Sequence, residues 1–289
     1  MASRCSPFHQ AKPAGRTTNR HQPMEDIRLP EDVLSAVISL ATLGPRGACI
    51  AATVSPAFRA AADSDVVWSR FLPADLAPLV YPEPPPRSKK ELFLRLSSTH
   101  ALLPDGLTCA WLDRESGAKC YMVAARAMSI CWVDVPEYWR WIPHADSRFR
   151  ECAELLAVCW FHITGRIASR MLSGDTRYAA YLVFKMDDDS YGLDSPLQVA
   201  SVSVGEDTST HPARLQSYAD YEENDGADEE AAPRLPQERP DGWMELELGD
   251  WYNHGGDDSV VCASIKETRI GGNWKKGLIL QGLEIRPKN

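Results

Sequence analysis

The sequence predicts an α+β chain of two units, a small N-terminal all-α module followed by an antiparallel β-sandwich of jelly-roll type. Three observations carry this. Apolar residues recur at helical three- and four-residue spacing from Leu29 to Pro73. From Cys109 onward the chain turns to short runs rich in aromatic and β-branched residues, broken by Gly, Asp and Pro, as in sandwiches and jelly rolls. Between them, Pro73, Pro78, Pro82 and Pro84 to Pro86 form a stiff, extended spacer that cannot continue a helix and is expected to separate the units.

Taken in order, residues 1–25 hold Arg4, Lys12, Arg16 and Arg20, no acidic residue before Glu25 and almost no apolar periodicity, and are expected to be disordered. An organelle transit peptide is the alternative, though the amphipathic pattern is missing. The helical module spans 27–73. Pro30 with Glu31 and Asp32 suits a helix start, and Val33, Leu34, Val37, Ile38, Ala41 and Leu43 follow until Gly44-Pro45 stops the pattern. A second short helix is expected over 48–54. Ser55-Pro56 opens a third as cap and first helical residue, and Asp63 to Phe71 makes a last turn carrying Trp68 and Phe71. A module so short buries little surface, so some of its apolar residues, Leu29 and Leu34 among them, are candidates for a partner's contact surface.

The spacer covers 74–88; Ser88 then caps a helix over Lys89 to Leu96 that is expected to lead into the second unit, 89–289. Strands are expected at 108–112, 119–123, 130–133, 156–167, 178–186, 197–204, 243–248, 260–266 and 278–285. Ala179 to Phe184 is too apolar for an exposed edge, and Leu246 and Leu248 alternate around Glu247 as a half-buried strand does. Residues 206–240 are acidic and proline-bearing, and read as a disordered loop because nothing apolar offsets the entropy of ordering them. A metal site there is the alternative, without a defined ligand spacing.

Composition narrows the function. A net charge of -9 without a basic stripe argues against nucleic acid as partner. No apolar run spans a bilayer and no signal peptide is recognisable, so no membrane partner is expected. The 8 cysteines include no CxxC pair and sit mostly in apolar segments, as buried thiols of a reducing compartment do, which points to cytoplasm or nucleus. GxSxG, HExxH and P-loop patterns are lacking, and Gly271 to Gly277 departs from the Walker spacing. His162 reads as a satisfied core residue, and Glu245 with Glu247 as a solvated strand face. The expectation is a non-enzyme without cofactor or metal. What stands out is aromatic: Trp132, Tyr138, Trp139 and Trp141 cluster around Pro136, and such rings either anchor a core or stack on a ligand.

Two resemblances extend this. Leu29-Pro30 with its acidic follow-on, Val54-Ser55, Phe58-Arg59, Ala62-Asp63, Val67-Trp68 and Phe71-Leu72 resemble an F-box. That resemblance implies docking on the Skp-type adaptor of SCF ubiquitin ligases, through Leu29, Pro30, Val33, Leu34, Ile38, Val54, Phe58 and Trp68. From about residue 89 on, Trp111-Leu112-Asp113, Lys119 to Met122, Tyr138-Trp139 with Trp141, Tyr178 to Lys185, Asp241 to Glu245, Trp274 to Gly277 and Gly282 to Pro287 resemble the phloem protein 2-like lectin domain of plants. This implies a β-sandwich lectin whose agglutinin branch binds N-acetylglucosamine-containing glycans through two tryptophans and two acidic residues. The tryptophans fall on Trp132 and Trp139 and one acidic position on Glu267. The other falls on Val260, where this chain departs from the lectin, with Asp257 and Asp258 displaced nearby. Together the two imply a substrate-recognition subunit of a ubiquitin ligase that holds a glycan or a protein. The alternative is a nucleocytoplasmic lectin or stress-related interaction protein that assembles no ligase.

Overall fold

The computed structural model of the chain describes residues 29–42, 44–75, 84–216, 232–256 and 258–288. The tail of 1–25 and the centre of the acidic stretch, 217–231, lie outside these residues.

Among the described residues five α-helices come first, with one further helix turn. α1 (Glu31–Ala41) starts behind Pro30, with Glu31 and Asp32 at the positive end of its dipole. α2 (Pro45–Ala51) begins where the sequence predicts only a stop, because a proline at the first helical position loses no hydrogen bond. α3 (Pro56–Ala62) is capped as expected, Ser55 Oγ accepting from the Phe58 N–H at 3.2 Å. α4 (Asp65–Trp68) runs into a 3₁₀ turn at Ser69–Phe71, and α5 (Lys89–Ser98) is capped by Ser88, whose Oγ accepts from the Glu91 N–H at 3.1 Å.

The described residues from 101 onward are mainly β-structure. Its strands are β1 (Ala101–Leu102), β2 (Thr108–Leu112), β3 (Lys119–Ala124), β4 (Ser129–Ile130), β5 (Trp139–Ile142), β6 (Cys152–Leu155), β7 (Phe161–Ala168), β8 (Thr176–Tyr191), β9 (Gln198–Val204), β10 (Asp207–Ala213), β11 (Gln237–Glu238), β12 (Met244–Asn253), β13 (Val260–Glu267) and β14 (Lys276–Pro287). They form two antiparallel sheets. One has the order β1-β2-β3-β14-β8-β12-β11, with β6 paired to β14 and β5 to β6; the other runs β10-β9-β13-β7-β4. β8 is central, as the apolar run of 179–184 predicts, with β14 on one side and β12 on the other.

Inward side chains of both sheets enter one buried cluster: Leu182 and Phe184 of β8, Leu246 and Leu248 of β12 and Leu283 and Ile285 of β14 meet Ile163, Ile265 and Val202 of the second sheet. Each such side chain stabilises by about 1.5–3 kcal/mol, which makes this layer the main source of stability. The opposite face of the first sheet holds a smaller cluster with Trp111, Met122, Phe149, Val183 and Trp243.

Several expectations are corrected. Asp207–Ala213, placed in the acidic loop, is the edge strand β10, in full register with β9 from Asp207↔Val204 to Ala213↔Gln198. Its DTSTHPA sequence is polar on both faces, so no apolar alternation betrays it. Of the expected strand at 130–133 only Ile130 pairs, together with Ser129 before it; Trp132 follows in a turn with φ of +63°. Of the described cysteines, Cys109, Cys120 and Cys152 are buried, whereas Cys49 is exposed and Cys131, Cys159 and Cys262 are half-buried; all are free thiols.

The units are also not held apart. The cluster that fills the sandwich continues through Leu112 and Phe93 to Trp68, Phe71, Ile38 and Leu34. α5, expected to belong to the sandwich alone, is the wedge between them: Phe93 packs on Trp68 at 5.3 Å between ring centroids, and the Lys89 N–H donates to Asp65 at 2.7 Å. At the seam, Gly117 has φ of +79°, and a Cβ there would lie 2.9 Å from the Phe71 carbonyl, so only glycine lets the module approach. Lys119, nearly enclosed, pairs with Asp75 at 2.9 Å across the same seam.

Candidate functional sites: an apolar helix stripe and an aromatic cleft

The first surface is a consequence of helical period. In α1, Leu34, Ser35, Ile38 and Ser39 face inward, and the Ser35 hydroxyl donates to the Ala61 carbonyl at 3.1 Å. Val33, Val37 and Leu40 of α1, at steps of four and three, form a second apolar stripe, with Leu29 just ahead of the helix; all four stay 41–77% exposed. Ile50, Val54 and Val66 are exposed apolar residues of the same module. The residues assigned to partner docking from sequence therefore divide. Leu29, Pro30, Val33 and Val54 are exposed and Phe58 is half-buried, but Leu34, Ile38 and Trp68 are core. Trp68 has its indole N–H on the Ala62 carbonyl at 2.8 Å and its ring against Phe71 and Phe93. Val37, Leu40 and Ile50, absent from that assignment, are open to a partner; the step of four from Leu29 and Val33 could have found Val37.

The second surface is a cleft of about 200 Å³ walled by Trp132, Tyr138, Val158, Cys159, Trp160 and Trp274. Three distant segments build it. Trp132 and Tyr138 lie on consecutive turns after β4, fixed by the Val135 N–H on the Trp132 carbonyl at 3.0 Å and the Tyr138 N–H on the Val135 carbonyl at 2.9 Å. Val158 and Lys275 exchange backbone hydrogen bonds of 3.0 and 2.8 Å, which bring Cys159 and Trp160 beside Trp274. Behind Trp274 stands Gly192 at φ of +73°, where a Cβ would lie 2.1 Å from the Trp274 carbonyl. Trp132, Trp160 and Trp274 are 56%, 45% and 47% exposed, a large apolar area for one small region to leave in water.

The sugar-binding candidates, Asp258 taken in place of the unsuited Val260, separate. Trp132 is on the cleft wall. Trp139 is buried behind it, its indole N–H donating to the Cys131 carbonyl at 3.0 Å, so it positions the backbone that carries Trp132. Glu267 is buried, ion-paired with the fully buried Lys275, and accepts from the Arg269 N–H at 2.9 Å. Lys275 also donates to the Asn273 carbonyl at 2.8 Å and the Cys159 carbonyl at 3.4 Å. The pair thus ties β13 to both loops of the cleft from below. Asp258 is elsewhere, exposed and paired with Arg170 at 2.9 Å, beyond the far end of β13. At a rise of about 3.3 Å per residue, the seven steps from Glu267 to Val260 alone cover about 23 Å. Trp160 and Trp274 escape sequence reasoning as site residues because the Val158–Lys275 bridge is non-local.

A third concavity, of about 460 Å³ and polar, lies over Tyr181, Glu245, Glu247, Arg234, Arg286 and Lys288. Glu245 and Glu247, expected on a solvated face, are both neutralised: Glu245 by Arg239 at 2.7 Å and Arg286 at 2.6 Å, Glu247 by Lys288 at 2.8 Å and Arg234 at 3.1 Å. Burial by itself pushes the neighbouring Glu284 carboxyl up, but Arg239, Arg286 and Arg148 outweigh it and hold it below the usual range. Glu284 is therefore held as a carboxylate rather than poised as an acid. Among the described residues no group of His, Cys, Asp and Glu is arranged to hold a metal, and no helix is long and apolar enough to cross a membrane.

A family model described as phloem protein 2 matches residues 118–287. Over 268 residues the chain is 42% identical to F-box protein PP2-B10 of Arabidopsis thaliana, covering 89% of this chain and 92% of that protein. It is 42% identical over 267 residues to putative F-box protein PP2-B12 of the same plant, covering 92% and 99%, and 36% identical over 266 residues to F-box protein SKIP3, covering 90% and 87%.

Proposed function

The chain belongs to the family of phloem protein 2-type F-box proteins, and we propose that it is a substrate-recognition adaptor of an SCF-type ubiquitin ligase. In this reading the helical module docks on a Skp-type adaptor, the sandwich holds the target, and ubiquitin transfer is carried out by other subunits. The observation that carries it is the stripe of Val33, Val37 and Leu40, with Leu29 just ahead of the helix, exposed beside a face of the same helix that is already buried. An amphipathic helix needs one apolar stripe for its own fold; a second is what a helix offers to a groove. The compartment is cytoplasm or nucleus, where such ligases work. The second reading, a lectin that assembles no ligase, draws on the aromatic cleft, which could stack a sugar ring.

Titration of the full chain with a Skp-type adaptor separates them. Leu29→Ala/Pro30→Ala and Val33→Asp/Val37→Asp are expected to lose about 2 kcal/mol or more of binding at unchanged melting temperature, because anchors of this kind dominate an interface. Wild-type affinity in both variants contradicts the proposal.

A further inference from the structure

We propose that the aromatic cleft is a cage for a trimethylated lysine side chain of a protein target, an inference that rests on reading the sandwich as the target-holding half. Trp132 and Tyr138 stand at 71° with ring centroids 6.4 Å apart, two nearly perpendicular walls, and Trp160 and Trp274 line the same cleft. Aromatic faces attract a cation within about 6 Å, tryptophan most strongly, and quaternary ammonium groups are the ligands such cages recognise. The lining discriminates between occupants. None of its side chains is charged, and the carboxylate beneath it, Glu267, is committed to Lys275 and the Arg269 N–H. Within the lining itself a sugar's hydroxyls meet no charged side chain, whereas a quaternary ammonium has no N–H to satisfy.

Charge points the same way. Asp134 and Glu137, on the turns that present Trp132 and Tyr138, are exposed and make no ion pair or side-chain hydrogen bond among the described residues. The buried floor is neutral, since Lys275 is matched by Glu267. Two unpaired carboxylates beside an aromatic wall suit a cation on a peptide. They disfavour a choline headgroup, whose ammonium brings an adjacent phosphate. The site is also built rather than incidental: Trp132 is held at φ of +63°, rare for a bulky residue, by the hydrogen bonds of its turn and by Trp139 on the Cys131 carbonyl.

The test is a calorimetric titration of the full chain with three Gly/Ser-flanked peptides carrying trimethyllysine, unmodified lysine, or a neutral isostere with a tert-butyl group in place of the trimethylammonium. Trimethyllysine is expected to bind roughly 3- to 30-fold more tightly than the isostere, the range a cation–π contribution gives, and more tightly than unmodified lysine. Trp160→Ala should weaken it about tenfold or more, and Asp134→Asn/Glu137→Gln several-fold, both with wild-type melting temperature. Equal affinity for the isostere reduces the cleft to an apolar groove and overturns the proposal. So do retention on phosphatidylcholine vesicles with no peptide binding, Trp160-dependent binding of N-acetylglucosamine oligomers with no peptide binding, and no binding of any probe. Adaptor affinity measured on the same preparation keeps the readings apart: its persistence with a failed peptide sinks only the cage, and its loss with a bound peptide sinks only the ligase.

Discussion

A charge that solvent cannot reach depends on its partner far more than a surface charge does, and Lys275 with Glu267 is the case at the cleft. By resemblance Glu267 is a sugar ligand; by position it is a strut, joining β13 to the Asn273 and Cys159 carbonyls through the Lys275 ammonium. The two roles differ in what mutation does. Glu267→Gln is expected to destabilise the fold by about 3–5 kcal/mol in denaturant titration, because it strands a buried ammonium, while Glu267→Leu/Lys275→Met should recover most of that loss. A single variant of wild-type stability would return Glu267 to the role of ligand. Nothing in the local sequence discloses the strut, since burial of both ends depends on strands far apart in the chain. Trp132 was legible as one of a dense aromatic cluster, but its exposure beside a buried Trp139 is set by backbone geometry that residue type does not encode.

Among the elements, those with both a cap and a period were legible: Ser55 and Ser88 open α3 and α5 as their sequences predict, and β8 is central because its run admits no polar face. The polar strand β10 was not, for it is an edge strand whose pairing with β9 rests on backbone hydrogen bonds and leaves no apolar signature. Nor was the double allegiance of α5. Leu92, Phe93 and Leu96 mark one apolar face, but the sequence does not say that this face serves two neighbours. Because Phe93 meets Trp68 on one side and approaches Gly117 on the other, Phe93→Ala is expected to cost about 3–5 kcal/mol and to lower one shared melting transition rather than release the helical module by itself. Two transitions in calorimetry, with only one shifted, would show that α5 does not couple the units.

At the scale of the molecule, the proline spacer suggested two bodies on a stiff tether, whereas the observed core runs from Leu34 to Ile285 without interruption. Composition could not reveal this, because domain contact depends on surfaces matched in three dimensions, here a glycine at 117 and a nearly enclosed lysine at 119. The consequence is geometric: the apolar stripe and the aromatic cleft are fixed to one core, so under the proposed function a target held at the cleft would be presented at a set distance from the stripe. Hydrogen–deuterium exchange of the full chain, with and without a Skp-type adaptor, tests this account most directly. Adaptor binding is expected to protect amides of α1 and those around Ile50 and Val54, and to leave 130–142 and 156–160 unchanged. Protection that appears at the cleft, or is absent from α1, would contradict it.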